Sequence, residues 1–157
     1  IDTEGNLLSD QWFDRVDYFL DGFARVHLHG KHNFIDTEGN LLSDIWFDWT
    51  SAFNNGFAIV RLNEKYNYIG TEGHLLSVQW IDLASSFNNG FARIQLNGKC
   101  NFIDTEGNLL SDQWFDWVGE FNNGLAAVEL NEKYNYIDTK GNIIYDQWLA
   151  EIDDFNN

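Results

Sequence analysis

The sequence contains no methionine and no proline, and Cys100 is its only cysteine. A single cysteine excludes a disulfide framework within the chain. Without proline, the turns have to be formed by glycine, asparagine and aspartate. Without methionine, the chain does not begin at its own start codon, so we expect a processed protein or a part of a longer array.

Basic residues and long apolar runs are also scarce. Nine Lys and Arg residues stand against 25 Asp and Glu residues, which gives a formal net charge of −16. Because nucleic acids are bound through clustered basic residues, this composition excludes them as partners, and it disfavours anionic membrane surfaces. No apolar run approaches the roughly 20 residues of a membrane-spanning helix, and no signal peptide is visible. The hydrophobic content of 44%, with 17% aromatic residues, is sufficient for a folded core.

What the chain does contain is one stretch repeated five times. IDTEGNLLSDQWFD stands at residues 1–14 and again at 103–116, and it recurs at 35–48 with Ile45 as the one change. Looser copies begin at Ile69 and Ile137, so the step is always 34 residues. A constant step of this size indicates a repeat architecture in which each unit buries its apolar face on its neighbours. We expect a single array with units 1–34, 35–68, 69–102, 103–136 and a partial unit 137–157.

Each unit reads as three strands and a connector. Phe57–Leu62 and Lys65–Ile69 have strand-like composition and are separated by the polar pair Asn63-Glu64, which predicts a tight hairpin. Gly70–Gly73 predicts a second turn, and His74–Ser77 is the third predicted strand.

The connector that follows the predicted third strand is aromatic. In the second unit Trp46, Trp49 and Phe53 are spaced i, i+3 and i+7, which fits one or two helical turns; a bent strand fits nearly as well, because the stretch is short and β-prone. The fold class predicted from the whole unit is all-β: tandem three-stranded antiparallel meanders, each with a short aromatic connector, stacked as an open solenoid-like array. A β-propeller is the alternative, although its four-stranded blades usually need about 40 residues or more.

A family resemblance supports the repeat interpretation. Gly90–Lys99 (GFARIQLNGK) followed by Asn101–Gly107 (NFIDTEG) resembles the bacterial WG repeat, with its Gly-Leu-Ala strand, Gly-Lys hairpin and Ile-Asp strand. The Trp-Gly pair that names the family is replaced by Tyr66-Asn67 and its counterparts, so a role of that pair does not carry over. The resemblance implies a repeat scaffold without catalytic residues. Tyr134–Asn142 is also similar to the aromatic hairpins of choline-binding and clostridial toxin repeats, which bind cell-wall choline or sugars.

Two classes of function follow from these patterns. The first is a non-enzymatic scaffold that assembles with itself or with other proteins. Neither end of the array has a distinct capping sequence, so we expect head-to-tail contact between identical chains, strengthened by salt because the charge of −16 opposes it. The expected contact joins Trp148, Ile152 and Phe155 of one copy to Leu7, Trp12 and Phe13 of the next.

The second class is a carbohydrate- or cell-wall-binding module. Sugar binding needs exposed aromatic side chains flanked by amides, and the best candidates are Tyr66, Tyr68, Asn67, Tyr134, Tyr136 and Asn135. An enzyme is not expected, because a near-identical array offers no asymmetric catalytic constellation.

Metal ligands are a remaining possibility in the sequence. Asp and Glu recur in the turn that follows the second strand, as Asp36 and Glu38 do, and this spacing is compatible with Ca²⁺. Turn formation explains it better, because no stretch matches a Ca²⁺-binding loop. The His27-x-His29-x-x-His32 cluster contains potential zinc ligands but does not recur in the other units, which favours surface drift. We therefore expect no cofactor.

Overall fold

The computed structural model describes residues 3–152 and is all-β, as predicted. Within these residues the chain forms four open three-stranded antiparallel sheets and no helix. The sheets are β1 (Arg15–Val16), β2 (Phe23–Leu28) and β3 (Lys31–Asp36); β4 (Trp49–Thr50), β5 (Phe57–Leu62) and β6 (Lys65–Gly70); β7 (Leu83–Ala84), β8 (Phe91–Leu96) and β9 (Lys99–Asp104); β10 (Trp117–Val118), β11 (Leu125–Leu130) and β12 (Lys133–Asp138). Because the described part contains no helix, no helix there could cross a membrane.

The predicted hairpin is the centre of every sheet. In the second sheet Val60 pairs with Asn67 and Ala58 with Ile69, so all four side chains lie on one face, and all four are buried. The opposite face carries Tyr68, which is also buried. The alternation predicted for a half-buried strand is therefore present, but both faces of the hairpin contribute to the core.

The hairpin turns have the geometry that their two-residue length requires. Both residues of each turn have positive φ, as in Asn97-Gly98 with 52° and 77°. This is the type I′ arrangement, whose twist matches that of the flanking strands. In the second sheet the same place is held by Asn63 and Glu64, and Glu64 has a φ of 66°. A side chain at this φ is strained because its Cβ crowds the backbone.

Replacing Glu64 with glycine should therefore raise the free energy of unfolding. We expect a gain of about 0.5–1 kcal/mol, since relief of left-handed strain exceeds the larger entropy that glycine loses on folding. Urea denaturation would measure the change. Glu64→Ala is the control, because alanine keeps the Cβ; an equal gain from Glu64→Ala would contradict the explanation.

The third strand is not where the sequence analysis placed it. Residues 74–77 contribute only an isolated bridge, between Ile69 and Leu75. The third strand comes instead from the connector upstream of the hairpin, where Trp49 pairs with Arg61 and Thr50 with Val60. The bent-strand interpretation of this stretch is confirmed and the helical one is wrong. Strand pairing wins here because Thr50 becomes completely buried against the hairpin.

The outer edge of each hairpin is covered by the stretch between the predicted second turn and the next short strand. We call this stretch the connector segment; it comprises residues 3–14, 37–48, 71–82, 105–116 and 139–150 in the five copies. Connector segment 37–48 bridges β3 through His32 and Phe47, which exchange two backbone hydrogen bonds of 2.8 Å. Trp46 from the same segment packs against Ala24, Val26 and Ile35 of that hairpin. The connector tryptophan thus covers the hairpin that precedes it.

The chain divides into two compact units, after Trp80. In the first unit the largest core cluster contains Phe34, Phe47, Phe53, Ala58, Val60 and Ile69. In the second unit the corresponding cluster contains Phe102, Phe115, Val118, Phe121, Ala126, Val128 and Ile137. Each cluster joins residues of two successive repeats, so a single repeat does not enclose a core of its own.

The glycine of the Asp-Thr-Glu-Gly turn lies against the backbone of the preceding repeat. Gly73 has a φ of 85°, and the carbonyl oxygen of Leu42 occupies the space that a Cβ would need. Gly141 has the same relation to Leu110 in the second unit. Glycine is required here both for the left-handed conformation and for the close approach of two backbones.

Candidate interaction site

One aromatic contact joins successive repeats in both units. The ring of Phe53 lies 4.8 Å from that of Phe23 and 4.9 Å from that of Phe34, measured between centroids. Phe23 and Phe34 are diagonal neighbours on adjacent strands near the open end of the preceding hairpin, on the face opposite to Trp46. Phe121 repeats the arrangement in the second unit, at 4.9 Å from Phe91 and 4.8 Å from Phe102. The β2–β3 hairpin is therefore held between Trp46 on one face and Phe53 on the other.

The first repeat exposes the residues that the other repeats bury. Phe19 corresponds to Phe53 but is 41% exposed instead of 5%, and Val16 is 51% exposed where Thr50 is fully buried. Trp12 is 78% exposed, whereas its four counterparts are half-buried. Leu7 is exposed as well. We call these four residues, Leu7, Trp12, Val16 and Phe19, the first-repeat face; within residues 3–152 no hairpin covers them.

The residues expected at the assembly contact differ in exposure. Leu7 and Trp12 are exposed on the first-repeat face, while Phe13 is half-buried with its ring 6.3 Å from that of Trp46. Trp148 and Ile152 are half-buried, and Trp148 packs on its own preceding hairpin with its ring 6.4 Å from that of Phe115. Phe155 lies outside the described residues.

The residues proposed for sugar binding are mostly inside the protein. Tyr68 and Tyr136 are buried, and burial raises the pKa of Tyr68 well above its usual value. Asn67 is fully buried: its amide donates to the carbonyl oxygen of Ser77 at 2.8 Å, and its oxygen accepts from the amide groups of Tyr68 and Ser77. Asn135 makes the same three bonds with Tyr136 and Tyr145. In the structure the Asn67 and Asn135 side chains hold the connector segment on the hairpin.

Tyr66 and Tyr134 are the half-buried members of that set. Tyr134 lines a cleft of about 480 Å³ together with Trp117, Glu129, Glu151 and Ile152. An aromatic floor with carboxylates at its rim is an arrangement that can contact a sugar ring and its hydroxyl groups.

The carboxylates of the recurring aspartates in the second turn accept hydrogen bonds from groups of that same turn. The Oδ1 atom of Asp36 accepts from the backbone amides of Glu38 and Asn40, both at 2.9 Å, and its Oδ2 accepts from the Asn40 side chain at 3.2 Å. Partial desolvation raises the pKa of Asp36, but the amide donors outweigh it and leave the pKa below its usual value. Within residues 3–152, no group of three or more His, Cys, Asp or Glu side chains is arranged to hold a metal ion.

A second recurring aspartate ties two of the hairpins, β5–β6 and β11–β12, to the hairpin before each of them. Asp48 accepts from Lys31, 17 residues upstream, with Oδ1, and from the backbone amide of Asn63 at 2.8 Å with Oδ2. Asp116 makes the same two contacts, with Lys99 and Asn131. The lysine partners lower the pKa of both aspartates. Asp14 also accepts from a hairpin amide, that of His29 at 2.8 Å, but no lysine lies against it among the described residues.

The last lysine of this series has lost its aspartate. The position 17 residues after Lys133 is Ala150, and Lys133 makes no ion pair within residues 3–152. The sequence analysis missed this substitution at position 150. A position-by-position comparison of the five copies would have revealed it.

The histidines of the first hairpin form a cluster with other charged groups. The rings of His27 and His32 are 4.2 Å apart, and Asp17 lies 2.7 Å from Arg25, 3.0 Å from Arg15 and 3.8 Å from His27. Desolvation lowers the pKa of His32, and the nearby charges of His27 and Arg25 lower it further. The His32 ring, tilted against His27 and close to Arg25, therefore accepts a positive charge poorly.

The protein should therefore lose stability in mild acid. Because the pKa of His32 in the folded state lies below its unfolded value of 6.5, its contribution is complete above pH 6.5 and is lost as the pH falls through the folded-state pKa. The lowered aspartate pKa values act in a separate window, below about pH 4. Replacing His32 with tyrosine, the residue at this place in the second and fourth units, should flatten the dependence between pH 7.5 and 5. Urea midpoints across this range would measure it, and an unchanged slope in His32→Tyr would contradict the assignment.

Repeated hairpins, each closed by the connector of the next repeat, define the class: this is an all-β tandem-repeat protein whose repeats share a core pairwise. The chain belongs to the family described as the WG containing repeat. The family model matches residues 34–66, 81–100 and 102–134, which is more than half of the chain. The resemblance seen in the sequence is thereby confirmed, although the Trp-Gly pair is absent here.

The matches to solved structures are distant. Hsv2 of Kluyveromyces lactis is 8% identical with a TM-score of 0.42; the match covers 82% of this chain and 46% of that one. A protein of unknown function from Bacteroides caccae is 15% identical with a TM-score of 0.31; the match covers 85% of this chain and 65% of that one. The chain spans about half the length of the Hsv2 structures that it matches. No curated protein sequence matches it significantly.

Proposed function

We propose that this chain is a non-enzymatic protein-interaction scaffold, and that the first-repeat face is where it binds another polypeptide. The observation that carries the proposal is the exposure of Trp12, Val16 and Phe19 at positions that the other repeats cover. Exposed apolar side chains of this size, grouped in one repeat, mark interaction surfaces in folded proteins.

The covered repeats indicate what kind of polypeptide fits. In the second repeat Phe53 is covered by Phe23 and Phe34, and Trp46 by Ala24, Val26 and Ile35, all from one hairpin. The first-repeat face has Trp12 and Phe19 where the second repeat has Trp46 and Phe53. Its complement is therefore a β-hairpin with two neighbouring aromatic residues on the face that meets Phe19 and small apolar residues on the face that meets Trp12. Tyr18 and Leu20, also exposed, extend the apolar area.

A synthetic hairpin tests this directly. A cyclised peptide with the sequence of residues 22–36 presents β2 and β3 in one piece, and cyclisation limits the ordering cost of a short hairpin. We expect it to bind the intact protein in a fluorescence anisotropy titration. The same peptide with serine in place of Phe23 and Phe34 should bind at least tenfold more weakly. The Trp12→Ala and Phe19→Ala double variant should lose binding, whereas Trp117→Ala, another exposed tryptophan, should retain it.

The absence of binding to the cyclised peptide, or equal binding by the serine peptide, would overturn the proposal. Equal binding by the double variant would place the contact elsewhere and would also overturn it.

A carbohydrate-binding role is the second candidate, supported by the cleft beside Tyr134. A glycan array would test it, with Tyr134→Ala as the variant expected to lose binding. Tyr18→Ala is a suitable control, because Tyr18 is the most exposed tyrosine of the first repeat and lies outside that cleft. Reproducible binding of one sugar class that is lost only in Tyr134→Ala would favour this candidate over the scaffold.

A further inference from the structure

We propose that the first-repeat face takes a hairpin from a second copy of this chain, and that the hairpin is β11–β12. Connector segment 3–14 of one copy would replace connector segment 139–150 on the β11–β12 hairpin of the other. The inference rests on the proposed function, since it requires that the first-repeat face binds a polypeptide. It goes further by naming the partner, the hairpin and the segment that is displaced.

Unpaired charges point to this hairpin rather than to the other three. Lys31 and Lys99 each pair with an aspartate 17 residues further along, in the connector segment that covers their hairpin. Lys133 of β12 faces a connector segment with Ala150 at this place. Asp14, at the equivalent place of segment 3–14, has its hairpin amide but no lysine among the described residues. Exchange brings the unpaired lysine and the unpaired aspartate together in the geometry that the chain already uses twice.

The displaced segment also fits its own hairpin less well than its counterparts fit theirs. Leu149 bridges Tyr134 but is 38% exposed, whereas Phe47 and Phe115 at the same position are fully buried. Tyr145 is 48% exposed and stands where the other copies have serine. Segment 3–14 instead carries Phe13 and Ser9, as do the well-buried copies 37–48 and 105–116 at these positions. Segment 139–150 is the divergent copy, and segment 3–14 is the regular one.

The same exchange of connector segments would cover the exposed apolar side chains of the first-repeat face. Phe19 would enter the place beside Leu125 and Tyr136, the residues of β11 and β12 that correspond to Phe23 and Phe34. Trp12 would lie on Ala126, Val128 and Ile137, as Trp46 lies on Ala24, Val26 and Ile35. Thr3 of the next copy would then take the place of Thr139, directly after Asp138. The repeat pattern would therefore continue across the junction between the two copies. A contact of this kind is heterologous, so it propagates from copy to copy.

Ala150→Asp is the decisive variant, because it gives the resident segment 139–150 the aspartate that Lys133 lacks. Sedimentation velocity of the full chain, at rising concentration and constant salt, would measure self-association. We expect the wild-type chain to associate and Ala150→Asp to weaken the association at least fivefold. Lys133→Ala should weaken the association similarly, because it removes the lysine that would pair with Asp14 of the second copy. Ser86→Asp adds the same charge at an exposed site that is Glu120 in the next unit, and it should leave the association unchanged.

Hydrogen exchange adds a signature that ordinary surface contact does not produce. At high concentration the amides of Ile144 and Leu149, which donate to Tyr136 and Tyr134, should lose protection, while amides in segment 3–14 gain it. An equal effect of Ser86→Asp and Ala150→Asp would reduce the result to net charge and overturn the inference. Association with unchanged protection of 139–150 would also overturn it. A strictly monomeric chain would overturn it as well, and the cyclised-peptide titration would still decide the proposed function separately.

Discussion

Replacing Phe53 with alanine is expected to lower the free energy of unfolding by about 3–4 kcal/mol, the range for a buried phenylalanine whose cavity does not collapse. Phe53 is 5% exposed and lies between Phe23 and Phe34, so its removal leaves a cavity between two repeats and breaks two aromatic contacts.

The same substitution at Phe19 is a matched control within the chain. Phe19 occupies the equivalent position of the first repeat but is 41% exposed, so Phe19→Ala should cost no more than about 1 kcal/mol. Urea denaturation of dilute protein, followed by circular dichroism, would measure both variants. Equal losses would mean that Phe19 is covered in solution, which would contradict the exposed first-repeat face.

Asn67→Ala is expected to cost about 3 kcal/mol, an unusually large effect for a polar residue. The Asn67 side chain is fully buried and satisfies both the amide and the carbonyl group of Ser77 as well as the amide of Tyr68. Alanine would leave these backbone groups without partners and would release the connector segment from the hairpin. Faster hydrogen exchange of the Ser77 amide should accompany the loss of stability.

Asn88→Ala provides the comparison for this prediction. Asn88 is exposed and has its backbone, not its side chain, in the bridge to Phe91. Its replacement should change the free energy of unfolding by no more than about 0.5 kcal/mol. A loss below about 1 kcal/mol for Asn67→Ala would show that water, or a local shift of the backbone, satisfies the backbone groups of Ser77 and Tyr68. That result would contradict the role assigned to the buried asparagine.

The hairpins were predictable because their information is local. Alternating apolar residues around Asn97-Gly98 fix both the strand period and the type I′ turn, and the structure shows the predicted register. The third strand was not predictable in the same way. Trp49 and Thr50 form a strand only because a hairpin edge is available to them, and no local signal separates this from a helical turn.

The candidate site was predictable in part, for a similar reason. The expectation that Leu7 and Trp12 are exposed followed from the position of the first repeat in the array, and the structure places both at the surface. The buried role of Asn67 was missed, because an asparagine beside tyrosines reads equally well as a sugar ligand. Two of its three hydrogen bonds depend on a segment ten residues away, which only the fold brings into contact.

The glycine that lies against the preceding backbone determines where this chain can be lengthened. Because Gly73 leaves no room beside the carbonyl group of Leu42, an insertion in the Asp-Thr-Glu-Gly turn would push two repeats apart. The hairpin tips have no such neighbour: a Cβ built at Gly98 meets nothing within 4 Å. Foreign loops grafted at the tips would therefore be displayed at a 34-residue spacing without disturbing the packing, whereas the same loops at the glycine turns would not be tolerated.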